Sequence, residues 1–221
     1  MRVGVLASGA GTNLQALLDA VHGRDGVRIV AVASDRPGAP ALERARRAGV
    51  PTRVFAAAEF GQRTARDAAL ADWLAERGVE LVVLAGYMQL LSAPVLERFR
   101  GRVINLHPAL LPAFPGLRAV EQALAYGVKV FGVTVHFVDE GVDTGPVILQ
   151  RALELPDARS EAEVMARLRP LEHELLVEAV RLIAADAVRI DPENPRRVVV
   201  GPRAGGEARG PAAQAGSRGG R

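Results

Sequence analysis

The chain has 221 residues and a net charge of +3, with no cysteine, 49% apolar and 4% aromatic residues. The lack of cysteine excludes disulfides, thiolate metal sites and cysteine nucleophiles, and scarce aromatic side chains argue against a base-stacking platform. The length suits one domain with a full core. No apolar run approaches the roughly 18 residues of a membrane span, and glycines interrupt the apolar start. We therefore expect a cytoplasmic protein that binds neither membrane nor nucleic acid.

The positive charge is concentrated at the C-terminus. Residues 196–221 contain six arginines and one glutamate, which leaves 22 basic and 24 acidic residues in 1–195. Seven of the 21 residues from 201 onward are glycine, and this composition has little to bury, so we predict a disordered tail at 201–221. The arginines of this tail also keep open an alternative function, a non-enzymatic nucleic-acid-binding protein.

Short apolar runs alternate with helical patterns through the first half of the chain. The runs lie at 3–7, 27–33, 52–55, 81–85 and 103–106, and the helical patterns at 14–21, 41–48, 64–76 and 93–99. Strands that are apolar on both faces and separated by helices form a parallel sheet covered on both sides. We therefore predict a doubly wound, Rossmann-like α/β fold over about the first 110 residues.

The pattern changes after residue 111. A loop at 112–116 with two prolines leads to a short predicted helix at 120–126, and then two extended runs follow at 130–138 and 147–155. Only a short acidic turn separates these runs, which favours antiparallel strands that extend the parallel sheet.

The longest helical pattern follows these strands. A capping box at 160–163 begins it, and it extends toward residue 187. We expect Pro170 to kink or split this helix, because proline lacks the N–H donor and clashes with the carbonyl four residues back. Short apolar runs at 189–190 and 197–200 are candidate closing strands.

The loop SGAGTN at residues 8–13, here called the phosphate loop, joins the first predicted strand to the first helix. Its small residues let a ligand approach the backbone, and N–H groups at a helix N-terminus attract phosphate. The loop lacks the third glycine of a dinucleotide fingerprint and the Gly-Lys-Ser/Thr of a Walker loop. We predict a monophosphate site; the alternative is a tight strand–helix turn without a ligand.

Asn105 and His107 lie at the end of the fifth predicted strand, where open α/β sheets bind their ligands. Alternate residues of a strand share a face, so this amide and imidazole face the same volume. Asp143 is the candidate carboxylate that orients His107 and stabilises its protonated form. His136 is predicted to support the site. The alternatives are a buried structural histidine and a solvated acidic turn.

Two other kinds of chemistry are disfavoured. No HExxH or similar pair of ligands occurs among the His, Asp and Glu residues, so we expect no metal. Ser8 and Ser160 lie in no nucleophile elbow, which disfavours covalent serine catalysis. Acid–base chemistry around His107 is therefore the prediction from the residues themselves.

Five segments, in order along the chain, carry a family resemblance. They are SGAGTNLQALL, LVVLAGYMQLL, INLHPALLPAFPG, GVTVHFVDEGVDTGPVILQ and LEH. Together they resemble the phosphoribosylglycinamide formyltransferases, folate-dependent enzymes of purine synthesis. The resemblance implies formyl transfer from 10-formyltetrahydrofolate to the amine of phosphoribosylglycinamide, with these small molecules as partners, no metal, and a monomer or homodimer.

The resemblance also implies roles for individual residues. The catalytic residues are Asn105, His107 and Asp143, with His136 in support. The ribonucleotide-binding residues are Gly11, Thr12, Asn13 and Glu172. The folate-binding residues are Arg63, Met88, Gln89, Leu90, Leu91, Asn105, Asp139, Glu140, Gly141, Val142 and Asp143. Residues 112–116 and the following helix match a mobile loop over the site.

The implied organisation is one catalytic domain at 1–195, with a phosphate-binding half at 1–110 and a folate-binding and catalytic half at 111–195. Two positions depart from the family pattern: Gln89 stands where arginine is frequent, and Pro170 lies close to Glu172. A formyltetrahydrofolate hydrolase is the nearest alternative, although we expect that enzyme to carry an N-terminal regulatory module. A tRNA-formylating relative is expected to carry a further C-terminal domain.

Overall fold

A central sheet of seven strands carries the site. The computed structural model describes residues 1–201, so the predicted tail lies, apart from Gly201, outside the described residues. The strands are β1 (Arg2–Leu6), β2 (Arg28–Ser34), β3 (Thr52–Val54), β4 (Leu81–Leu84), β5 (Val103–His107), β6 (Val130–Phe137) and β7 (Val147–Glu154). Their order is β3-β2-β1-β4-β5-β6-β7. The first five run parallel, and β6 and β7 add antiparallel pairs. This confirms the predicted fold class.

Helices cover both faces of the sheet. They are α1 (Thr12–Ala20), α2 (Pro40–Arg47), α3 (Arg63–Glu76), α4 (Ala93–Arg98), α5 (Ala119–Tyr126) and α6 (Glu161–Ala184), with a 3₁₀ turn at Ala57–Glu59. In β4, Leu81 and Val83 join the core under α1, α2, α5 and α6, whereas Val82 and Leu84 join the core under α3 and α4. The alternation of side chains along a strand therefore explains why these strands are apolar on both faces.

The long helix α6 begins where its capping box predicts. The Ser160 hydroxyl accepts a hydrogen bond from the Glu163 N–H at 3.2 Å, and the Glu163 carboxylate accepts one from the Arg159 N–H at 3.1 Å. Of the two effects expected of Pro170, the split is wrong, because α6 is one continuous helix through that residue; the kink stays a prediction. Pro170 is exposed, and the buried face packed on the sheet holds the helix together despite the missing hydrogen bond.

The last two strands do not close the central sheet. Strands β8 (Val188–Ile190) and β9 (Val198–Val200) pair with each other in a separate antiparallel sheet. Within residues 1–201 no helix combines the length and apolar character needed to cross a membrane.

The carboxyl edge of the parallel strands collects the predicted site segments. The phosphate loop follows β1, residues 86–91 follow β4, and Asn105 and His107 end β5. Because β1, β4 and β5 are neighbours in the sheet, segments distant in sequence meet at one edge. Strand β6 pairs Asn105 with His136, and the β6–β7 turn carries Asp143 to the same place.

Candidate active site

Four polar side chains, here called the central cluster, meet beyond the end of β5. They are Asn105, His107, His136 and Asp143. The Asn105 amide nitrogen lies 3.3 Å from Asp143 Oδ1 and 3.2 Å from His136 Nε2, and His107 Nδ1 lies 3.3 Å from Asp143 Oδ2. The structure thus brings together all three residues predicted to be catalytic and the histidine predicted to support them.

Both ring nitrogens of His107 face hydrogen-bond acceptors. Nδ1 faces the Asp143 carboxylate, and Nε2 lies 2.8 Å from the carbonyl oxygen of Phe114. A carbonyl oxygen and an ionised carboxylate only accept. Each ring nitrogen of His107 therefore faces a group that can only accept a hydrogen bond, and the imidazole is nearly inaccessible to solvent.

His136 is fixed by its own strand. Its Nδ1 donates to the Phe137 carbonyl at 2.7 Å, which leaves Nε2 facing Asn105 and, at 3.5 Å, Asp143 Oδ1. When neutral, Nε2 accepts from the Asn105 amide; when charged, it donates to the carboxylate. His136 therefore orients both Asn105 and Asp143.

The carboxyl group of Asp143 is held in its ionised form. Burial is the largest single influence and opposes ionisation, but hydrogen bonds from His136 and the Gly116 N–H and the charges of His107 and His136 together outweigh it. The pKa of Asp143 is therefore lowered from its ordinary value. The Gly116 N–H lies only 2.7 Å from Oδ2, so the 112–116 loop is tied directly to this carboxylate.

A compact turn delivers Asp143, whose φ of 53° is in the left-handed region. Asp139 Oδ1 accepts from the Gly141 N–H at 3.1 Å and from the Thr144 hydroxyl at 2.6 Å. A Cβ at Gly145 would lie 1.8 Å from the Phe137 carbonyl oxygen, so only glycine fits that close approach. Glu140 and Val142 are exposed on the turn.

The phosphate loop presents N–H groups at the start of α1 that have no acceptor within the helix. Gly11 adopts a left-handed φ of 72°, and no side chain caps the helix. A Cβ at Gly11 would lie 2.7 Å from Ala41, which explains the glycine. The first intrahelical bond runs from Gln15 to Gly11, so the N–H groups of Thr12 and Asn13 precede the helical ladder and are available to an anion.

Glu172 of α6 reaches the same loop. Asn13 Nδ2 donates to its Oε2 at 3.4 Å, across 159 positions of sequence. Burial raises the pKa of Glu172 above its ordinary value, although the Asn13 hydrogen bond and Arg169 act in the opposite direction. Pro170 therefore leaves Glu172 on the buried face of α6, beside Asn13.

The segment 88–91 follows β4 between the phosphate loop and the central cluster. The side chains of Met88 and Leu90 are 52% and 55% exposed, while Gln89 is directed into the protein, where Arg66 donates to its Oε1 at 2.9 Å. The other predicted folate-binding residue, Arg63, is exposed at the first position of α3. In the described part of the chain, neither Arg63 nor Glu140 is hydrogen-bonded to the central cluster.

Comparison with known proteins agrees with this arrangement. The sequence matches the family model described as formyl transferase over residues 1–180. A phosphoribosylglycinamide formyltransferase of Mycobacterium tuberculosis is 46% identical over 189 residues, which cover 86% of this chain and 87% of that protein. The crystal structure of glycinamide ribonucleotide transformylase 1 from Symbiobacterium toebii is 50% identical with a TM-score of 0.86, covering 90% of this chain and 93% of that one. The chain belongs to the phosphoribosylglycinamide formyltransferase family.

Some relatives of this formyltransferase family are much longer. The trifunctional purine biosynthetic protein adenosine-3 of Drosophila melanogaster is 43% identical over 195 residues. The match covers 87% of this chain but 14% of that protein. The chain therefore spans only a small part of the length of that relative.

The formyltransferase family implies a formyl donor derived from folate. No group of three or more His, Cys, Asp or Glu side chains that could hold a metal ion occurs among residues 1–201. The polar groups of the site are hydrogen-bond donors and one carboxylate, which suit acid–base chemistry on an organic substrate.

Sequence reasoning missed a buried ionic group beside the 88–91 segment of this chain. Arg66 and Asp67 are 2% and 0% exposed, and they contact residues that follow β4. One signal was available: Arg66 lies four and eight positions before Leu70 and Leu74 on the apolar stripe of α3, where a charged residue is unusual.

Proposed function

We propose that the protein transfers the formyl group of 10-formyltetrahydrofolate to the amine of 5′-phosphoribosylglycinamide, giving formylglycinamide ribonucleotide and tetrahydrofolate in purine biosynthesis. The observation that carries this proposal is the convergence of Asn105, His107 and Asp143 at the sheet edge that also bears the phosphate loop. The names of the relatives with 46% and 50% identity support it.

The reaction has simple requirements. The amine nitrogen bonds to the formyl carbon, the bond from that carbon to N10 of the folate breaks, the attacking nitrogen loses a proton and N10 gains one. Negative charge develops on the formyl oxygen, so the site needs donors aimed at that oxygen and a group that accepts a proton.

The central cluster meets these requirements. The Asn105 amide and the imidazolium of His107 are the donors for the developing negative charge. Asp143 keeps His107 charged and accepts the proton of the attacking nitrogen, directly or through water. Because Phe114 holds Nε2 of His107 in this structure, the 112–116 loop must release that nitrogen before it donates to substrate.

The binding residues extend the proposal to both substrates. The N–H groups of Gly11, Thr12 and Asn13 bind the phosphate, and Glu172 binds near the glycinamide. For the folate we assign Arg63, Met88, Gln89, Leu90, Leu91, Asp139, Glu140, Gly141 and Val142. The exposed apolar side chains of Met88, Leu90 and Val142 suit the flat ring system of the donor.

We extend the proposal to the domain organisation, cellular location, oligomeric state and partners of the protein. We assign residues 1–195 to one catalytic domain; in support, the central sheet takes β1 to β5 from 1–110 and β6 and β7 from 111–195. We further infer a cytoplasmic protein, a monomer or homodimer, that acts on small molecules without a nucleic-acid partner.

The decisive experiment mixes the protein with phosphoribosylglycinamide and 10-formyltetrahydrofolate and measures both products. Mass spectrometry is expected to show a ribonucleotide heavier by one CO, with an equal amount of tetrahydrofolate. A reaction without the ribonucleotide provides the control. Release of free formate without the formylated product contradicts the proposal and favours the hydrolase.

A further inference from the structure

We propose that Arg66 is a positioning residue for the formyl donor: its buried guanidinium fixes the 88–91 segment, and so sets the affinity for folate separately from the affinity for the ribonucleotide. The inference rests on the proposed function, because it takes the 88–91 segment as part of the folate site. Its basis is a set of buried hydrogen bonds that link α3 to the residues after β4.

The guanidinium makes four contacts. Nε donates to Asp67 Oδ1 at 2.9 Å, and Nη2 forms an ion pair with the same oxygen at 2.8 Å. Nη1 donates to Gln89 Oε1 at 2.9 Å, and Nη2 donates to the Leu90 carbonyl at 3.3 Å. One planar group thus holds a side chain and a backbone carbonyl of the same segment. A lysine, which has three donors on one atom, lacks the geometry for this set.

Asp67 fixes the end of the segment. Its Oδ2 accepts from the Ser92 N–H at 2.7 Å and from the Ser92 hydroxyl at 2.6 Å. Ser92 occupies the N-cap position of α4, but its hydroxyl bonds to Asp67 instead of capping that helix. The ion pair of Arg66 and Asp67 is therefore hydrogen-bonded to the chain at positions 89, 90 and 92.

The start of the segment is held from the other side. The Met88 N–H donates to the Ser8 hydroxyl at 2.8 Å, and Gln89 Nε2 donates to Asp35 Oδ2 at 3.0 Å. With the backbone tied at these points and the Gln89 side chain directed inward, the side chains of Met88 and Leu90 are left facing outward at the sheet edge. The buried group therefore sets the shape of the exposed surface.

The burial of these charges distinguishes the group from a surface ion pair. Arg66, Asp67 and Asp35 are 2%, 0% and 8% exposed, and removing water strengthens each of their hydrogen bonds. Tyr87 belongs to the same environment. Burial is the main cause that raises its pKa to about 12; Arg66 lowers that pKa, whereas Asp35 and Asp67 add to the rise.

A buried ion pair is by itself weak evidence for a role in stability, since apolar replacements are often as stable. Besides its ion pair with Asp67, Arg66 donates hydrogen bonds to the segment proposed to bind folate. A positioning role and a general stabilising role of Arg66 therefore predict different results. Only a positioning role changes the affinity for folate while leaving the affinity for the ribonucleotide unchanged.

The test compares Arg66→Lys and Arg66→Met with the full-length wild type. The matched control is Arg98→Met. Arg98 is an exposed arginine of α4 that pairs at 3.1 Å with Asp72 of α3, the helix that also carries Arg66. Three quantities are measured: amide hydrogen exchange of residues 87–92 without ligand, affinity for tetrahydrofolate by calorimetry, and kcat and KM for each substrate. Urea unfolding reports global stability.

Both Arg66 variants are expected to exchange faster at 87–92 and to bind tetrahydrofolate at least about tenfold more weakly, with a similar rise in KM for the formyl donor. KM for the ribonucleotide stays at the wild-type value, and Arg98→Met changes none of these quantities. If Arg66→Met does not fold, Arg66→Lys, which retains the charge, decides the question.

The inference is overturned if exchange and tetrahydrofolate affinity stay at the wild-type values. It is also overturned if both KM values rise together in proportion to a loss of stability, because that indicates a general structural role. A wild type that binds tetrahydrofolate without formylating the ribonucleotide contradicts the proposed function alone, and the exchange and affinity data still decide the role of Arg66.

Discussion

At the scale of single residues, one carboxylate connects strands β5 and β6 with the 112–116 loop. Asp143 contacts His107 and Asn105 on β5, His136 on β6 and the backbone of Gly116 in the 112–116 loop. Asp143 therefore links the proposed donors to the backbone of the 112–116 loop. In its proposed role Asp143 is expected to affect turnover more than binding, because the positive charge that it maintains on His107 stabilises negative charge that develops during the reaction.

Asp143→Asn is expected to reduce kcat by at least about 100-fold, the usual cost of removing one such electrostatic partner. The neutral amide neither keeps His107 charged nor accepts the proton. Steady-state assays with both substrates check this, and Asp157→Asn, an exposed change between β7 and α6, serves as the control. Turnover close to that of the wild type in Asp143→Asn contradicts the assigned role.

The carboxylate of Asp143 also makes the free energy of unfolding depend on pH in the acid range. Its folded pKa is lowered, so its contribution to stability is complete above the unfolded pKa and is lost as pH falls through the folded pKa. Urea unfolding between pH 7 and pH 3 is expected to show a shallower acid loss in Asp143→Asn than in the wild type. Parallel curves for the two proteins contradict this linkage.

Glu172 titrates in the opposite sense. Its folded pKa is raised above the ordinary 4.5 by burial, so the wild type loses stability as pH rises through the interval from 4.5 to the folded value. Asn13 Oδ1 is buried and has no hydrogen-bond partner among the described residues. A glutamine at 172 supplies the missing amide donor and carries no charge.

Glu172→Gln is therefore expected to unfold with a free energy on the order of 1 kcal/mol higher at pH 7, and with little gain at pH 4. KM for the ribonucleotide is expected to rise about tenfold, the cost of one lost charged hydrogen bond. Urea unfolding at both pH values and kinetic assays measure these changes, with exposed Glu174→Gln as control. A less stable variant at pH 7 contradicts the raised pKa of Glu172.

At the scale of elements, α6 combines a core surface with a site residue. Its buried residues include Val164, Leu168, Leu175, Leu176 and Val180, and Glu172 lies on the same face. Packing on the sheet therefore places the carboxylate, and Pro170 leaves the helix continuous. A helix held mainly by its apolar face tolerates one missing backbone hydrogen bond.

Pro170→Ala is expected to raise the free energy of unfolding by about 1–2 kcal/mol, because alanine restores the N–H donor and removes the steric clash. The gain is partly offset by the greater freedom of the unfolded chain. Chemical unfolding measures it, and Pro156→Ala, an exposed position outside any helix, is expected to give no gain. Equal effects of the two changes contradict this account.

At the scale of the whole molecule, charge and proposed function separate along the chain. Residues 202–221 contain four arginines and one glutamate, so their removal brings the net charge from +3 to zero. The groups proposed to act on substrates all lie before residue 173. The one anion they are expected to hold tightly is a phosphate bound by backbone N–H groups.

Deletion of residues 202–221 is expected to leave kcat and both KM values unchanged. Enzyme assays on the truncated and full-length proteins measure this. Retention on immobilised DNA at increasing salt provides the comparison for the alternative function. Loss of formyl transfer on truncation, or strong salt-dependent retention that the truncation abolishes, contradicts the separation of tail and function.

The sequence by itself determined the order and type of the elements and the sheet edge where the site lies. These features depend on local patterns: the apolar runs on two faces, the capping box at Ser160 and the turn before β7. Local patterns indicate which surfaces of a segment are buried. The positions of Asn105 and His107 at the end of β5 follow from the same logic. Their roles remain predictions that the assays above test.

Only the tertiary structure decided which distant groups share one environment. Asn13 and Glu172 are 159 positions apart, and Asn105 and Asp143 are 38 apart. The continuity of α6 through Pro170 and the contact of Arg66 with the 88–91 segment likewise depend on packing across the sheet. A single sequence does not encode such contacts locally, because the free energy that stabilises them comes from burial shared between segments that meet only in the folded chain.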